Sequence, residues 1–175
     1  MSGFYQNKLI DLLMIKSPSK TCEFLYEIID NVIVSNQIKE YRTGKFKLDK
    51  YFRDYYPIIA DKDSSDIKGV LNKFLKQLSY YIKQETETYN VFYDKIKNSD
   101  YYTWNLILAA SLKGAPENHS DKILNLLTKA FEKDEYGTHE ILPYFFWQLI
   151  KLSFPVINRL YQDEIVSVIS KIKLP

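Results

Sequence analysis

Between Ile67 and Ile96 the apolar residues Val70, Leu71, Phe74, Leu75, Leu78, Tyr81, Ile82, Tyr89, Phe92, Tyr93 and Ile96 recur three or four positions apart. That period lays them on one face of an α-helix and does not fit the two-residue alternation of a half-buried strand. Unbroken, the stretch would form a rod about 45 Å long. The polar run Glu85-Thr86-Glu87-Thr88 is where it is expected to bend or break. The same period returns along most of the chain. The fold is therefore constrained to a set of amphipathic helices, each of which must bury one side against its neighbours.

Proline and glycine set the expected boundaries. Leu9, Ile10, Leu12 and Leu13 belong to a first helix ending near Ser17-Pro18, because proline disfavours helical geometry in the residue before it. A second helix, with Cys22, Leu25, Tyr26, Ile28, Ile29, Val32 and Ile33 inward, is expected to run out towards Gly44. Phe46, Leu48, Tyr51, Phe52, Tyr55 and Tyr56 suggest a shorter aromatic helix closed by Pro57. Ser99-Asp100 precede a helix from Tyr101 to Lys113, stopped by Gly114 and Pro116. Its Leu106 to Ala110 centre is apolar nearly all round, which predicts the most buried helix. Ser120 to Lys133, Tyr144 to Leu152 and a final segment from Val156 to Leu174 complete the set. No stretch alternates like a strand between Asn-Gly or Asp-Gly turns. The expectation is an all-α fold of roughly seven to nine helices in antiparallel pairs.

With 175 residues, 46% of them hydrophobic, the chain can build one core without metals or disulfides. Glycines and prolines are scattered singly and mark no linker, so residues 1–175 are expected to form one domain. From Ser99 onward, helix lengths and turn placement resemble HEAT- or armadillo-like repeats, which implies a right-handed stack of helix pairs; an irregular helical bundle is the alternative.

Little in the sequence points to chemistry. His119 and His139 are the only histidines, each in a polar stretch at a helix start, where an exposed cap-region residue is expected. His139-Glu140 opens like a zinc-protease pattern, but Pro143 stands where the second histidine belongs. Phosphate-binding glycine loops are missing, and the lone Cys22 has apolar neighbours at helical spacing, as a small buried hydrophobe would. These features predict a non-enzymatic protein with no cofactor and no metal. No run reaches the roughly 18 apolar residues of a membrane span, and the start lacks the pattern of a secretory signal; a cytoplasmic location is expected.

Two segments stand out as binding surfaces. The first is acidic and carries an aromatic residue: Glu132, Asp134, Glu135, Tyr136, His139 and Glu140, opposed only by Lys133. It is a candidate anchor for a basic protein partner, since complementary charge speeds encounter and a tyrosine adds a rigid contact. The second, between Lys39 and Arg53, interleaves Arg42, Lys45, Lys47, Lys50 and Arg53 with aromatic residues, a composition that could follow phosphates and stack on bases. Against it stands the balance of 24 basic and 22 acidic residues, which gives no global footprint for nucleic acid.

In its size, helical character, scarcity of motifs and richness in tyrosine, the chain resembles the immunity proteins of bacterial contact-dependent growth inhibition and related toxin systems. Some of those are similar to HEAT-like helical proteins. The resemblance implies a protein that binds a secreted toxin domain, often a nuclease, and blocks its active site or substrate access. The alternative is a nucleic-acid-binding or regulatory helical protein that uses the basic segment 39–53.

Overall fold

A computed structural model of the chain describes residues 3–43, 46–49, 67–131 and 144–170. Among the described residues the fold is all-α, with eight helices and one small antiparallel ribbon. The first helix, α1 (Gly3–Lys16), stops at Ser17 and α2 (Pro18–Ser35) begins with Pro18 in its first turn, where its missing N–H costs nothing.

The chain then departs from expectation. α2 does not run on towards Gly44; it ends at Ser35, and β1 (Gln37–Thr43) pairs antiparallel with β2 (Phe46–Asp49), Thr43 opposite Phe46 and Arg42 opposite Lys47. Three local effects account for the change. The run Val32-Ile33-Val34 is β-branched, which weakens a helix. Asn36 sends both its backbone N–H (3.1 Å) and its carboxamide (2.8 Å) to the Val32 carbonyl. The dipeptide between the paired ends, Gly44-Lys45, has the Gly-x composition favoured in two-residue hairpin loops. The aromatic helix expected from Phe46 thus begins as a strand, and its remainder, from Lys50 on, lies outside the described residues.

The ribbon is anchored rather than free. Phe46 is 2% exposed and its ring stacks on Phe146 at 6.2 Å with 6° between the planes. The Lys47 backbone N–H donates to the Asp100 carbonyl at 2.7 Å.

The long periodic stretch breaks where the polar run predicts, into α3 (Ile67–Lys83) and α4 (Glu87–Ile96). Glu85 takes the left-handed position usually held by glycine, with φ at 51°. Its N–H donates to the Ile82 carbonyl and that of Thr86 to the Tyr81 carbonyl, the paired bonds of a Schellman stop. α5 (Tyr102–Leu112) follows, buried continuously from Tyr102 to Ala109 as its all-round apolar sequence requires. Gly114 beyond it provides room rather than handedness: a Cβ there would stand 3.1 Å from the Ser111 carbonyl and 3.2 Å from Ile82 Cγ2. A 3-10 turn (Pro116–Asn118) leads into α6 (Ser120–Phe131); α7 (Tyr144–Ser153) and α8 (Arg159–Ser170) end the described chain.

Helix neighbours define two layers. α3, α5 and α7 pack side by side, and α6 packs on α8 across from them; α2 and then α1 extend the stack beyond α3. Contacts also join every second helix, α3 with α5 and α5 with α7. One buried cluster draws on α2 through α8 and on Phe46 of β2. Its largest member is Trp104, 1% exposed, stacked on Tyr26 at 4.9 Å and donating from Nε1 to Asp30 Oδ1 at 2.9 Å. No described helix is long and apolar enough to cross a membrane.

Candidate binding groove

Tyr89, Phe92 and Ile96 turn α4 inward, and Ile123, Leu127 and Phe131 do the same for α6. Beside each inward stripe runs a polar one. On α4 and the turn that follows it, this stripe consists of Asn90, Asp94, Lys97 and Asn98; on α6 of Asp121, Lys122, Asn125 and Lys129. Three- and four-residue steps align each set along one side of its helix. The two stripes face each other across a groove of about 700 Å³, with Leu108 of α5 and Leu126 among its lining. Tyr93 meets Lys122 and Asn125, and further along Lys97 and Ser99 meet Lys129, so the two helices run in the same direction.

Much of the charge in the groove is compensated from within. Lys97 pairs with Asp94 at 2.6 Å. Lys129 closes one end by donating to the Ser99 carbonyl and, at 3.2 Å, to that of Lys97, which satisfies backbone acceptors left over beyond α4. Two ammonium groups lie against the Tyr93 ring, Lys122 at 5.4 Å and Lys97 at 5.8 Å from its centre. Burial raises the Tyr93 phenol above its ordinary pKa; the bond from the Asn125 carboxamide works against that, and the nearby charges of Asp121 and Asp94 add to it. The side chain is thus a neutral hydrogen-bonding group across the physiological range. Asn90 and Asn98 add carboxamides to the lining, each able both to donate and to accept a hydrogen bond.

Comparison with protein-family models, curated proteins and solved structures finds no match. Function therefore has to be argued from the groove itself.

The segments singled out in the sequence fall mostly elsewhere. Glu132, Asp134, Glu135, Tyr136, His139 and Glu140 lie outside the described residues, as do Lys45, Lys50 and Arg53. Arg42 sits on β1 opposite Lys47. The Lys47 side chain is directed at the start of α5, 3.7 Å from the Asp100 carboxylate and over the Tyr101 ring at 5.6 Å. The structure corrects the reading of His119 as an exposed cap residue: it is 8% exposed, because the loop after α5 packs against the α3–α4 turn, where Asn118 donates to the Glu85 carboxylate. Cys22 is fully buried, and burial pushes its thiol up to about 12, with the Tyr81 hydroxyl acting in the opposite direction. It is a core residue rather than a nucleophile. Among the described residues no group of His, Cys, Asp and Glu is arranged to hold a metal ion.

The groove residues were present in the sequence as polar positions four apart on two helices. Such a pattern ordinarily marks a solvated face. Only the side-by-side placement of α4 and α6 turns two solvated faces into one concave site.

Proposed function

We propose that this chain is a non-enzymatic binding module that captures another protein and holds it out of action, as a cytoplasmic immunity protein does a toxin domain. The observation that carries the reading is the open polar groove between α4 and α6. Neighbouring helices usually close on apolar contacts. Two facing polar stripes above leucine side chains instead have the composition of a recognition site.

The groove's chemistry favours a peptide over a polyanion. Asp94 and Asp121 offset two of the three lining lysines, Lys97, Lys122 and Lys129, so little net cationic charge is left to track phosphates. Carboxamides offer both donors and acceptors, which suits the unpaired N–H and C=O groups of an extended protein segment. The acidic segment from Glu132 to Glu140 follows α6 directly in the chain, and its composition is in keeping with the same reading.

Affinity capture from the source lysate, with nuclease treatment and a salt series, tests the proposal. The expected result is one stoichiometric protein partner retained at high salt. Its affinity should fall about a hundredfold in an Asn90→Ala/Asn98→Ala/Asn125→Ala variant, at about 1 kcal/mol per lost hydrogen-bonding group. Recovery of nucleic acid alone, released as salt rises, would overturn the proposal and favour the basic segment 39–53.

A further inference from the structure

His119 is a buried titratable group that the groove reading does not use. Its two ring nitrogens are inaccessible to solvent and neither has a hydrogen-bond partner among the described residues. One backbone acceptor, the Ile82 carbonyl, is close enough to favour a protonated ring but not in bonding geometry. The residue is also placed at the base of a groove wall. Its own carbonyl accepts the first helical bond of α6, from the Ile123 N–H at 3.0 Å. Its ring lies 5.7 Å from that of Tyr89, and Tyr89 stacks at 6.4 Å on Tyr93, the aromatic wall of the groove. Two routes therefore join His119 to the site: the helix it starts and a row of three rings.

We infer that His119 is a pH-sensitive latch on the groove: its neutral, buried ring holds the first turn of α6 in place, and a proton taken up there loosens that wall. The inference rests on the reading of the groove as the binding seat and assigns that seat a regulation. Protonation would put a full charge in a site that buries both nitrogens and, among the described residues, offers the Ile82 carbonyl only outside bonding geometry. The charge would also sit at the N-terminus of α6, the positive end of the helix dipole. Of the charged groups acting on the ring, Lys122 opposes the proton, whereas Asp121 on the same helix and Glu85 in the α3–α4 turn favour it. Burial is the largest influence and, with Lys122, it holds the ring below its ordinary pKa.

The sign follows from linkage. The unfolded chain binds the proton near pH 6.5 and the folded chain only at lower pH, so the stability held above about pH 6.5 declines as the pH falls towards the folded value. Because the groove wall carries that loss, acidification should open the groove before the rest of the fold.

An NMR titration of the partner-free protein from about pH 8 to about pH 5 tests this. The His119 ring is expected to titrate below 6.5, and the amides of Tyr93, Lys122 and Asn125 to shift at the same midpoint. In His119→Phe, which keeps a ring against Tyr89, the groove signals should stay flat. A His119 midpoint at 6.5, groove signals that do not follow it, or groove signals that move equally in His119→Phe would each overturn the latch. Should His119→Phe not fold, the two wild-type midpoints decide alone. No partner enters the experiment, so its failure leaves the proposed function standing, and failure of the capture experiment leaves the titration unaffected.

Discussion

Trp104 is the largest fully buried side chain among the described residues, and it ties three helices together. It joins α5 to α2 twice, through the ring of Tyr26 and through the carboxylate of Asp30, and it meets Phe74 of α3 edge-on at 5.9 Å. Trp104→Ala would empty the largest fully buried site and strip Asp30 of its indole donor. We expect a loss of about 3–5 kcal/mol, read as a lower urea midpoint, from the volume removed. This role was only partly legible: the apolar centre of α5 announces burial, but no spacing rule joins Trp104 to Asp30, 74 positions earlier. His119 was illegible for the same reason. Its polar sequence neighbours suggest exposure, and what buries it is the meeting of two hairpin ends distant in the chain.

At the scale of elements, the ribbon shows which contacts matter. Phe46 fills a core position and stacks on Phe146 of α7, whereas Lys47 holds Asp100 through an ion pair 3.7 Å long at the surface. Burial of an aromatic ring outweighs an exposed pair, which is worth at most about 1 kcal/mol. Phe46→Ala should cost about 3–5 kcal/mol, and Lys47→Ala less than about 1 kcal/mol, when both are compared by urea unfolding. Equal effects would mean that the ribbon is held by charge. The helices themselves were readable because a 3.6-residue period persists over many residues and its stops are chemical: Pro18, the polar run before Glu87, and Gly114. The ribbon was not, because its strands are short and its turn signal, Gly44-Lys45, is one dipeptide after an apparently helical run.

On the scale of the whole molecule, the described helices leave a groove where two neighbours, α4 and α6, stay apart. α6 packs on α8, but α4 and α6 face each other with asparagine, aspartate and lysine. The sequence contained both polar stripes and concealed their adjacency, since α5 intervenes between α4 and α6 in the chain. If the groove is the seat of a protein partner, occupation should restrain both of its walls together. The most direct measurement is hydrogen–deuterium exchange of the protein alone and with its captured partner. The groove account predicts slowed exchange in α4 and α6, with α1 and α2 unchanged. Slowed exchange confined to other elements, with α4 and α6 exchanging as in the free protein, would contradict it.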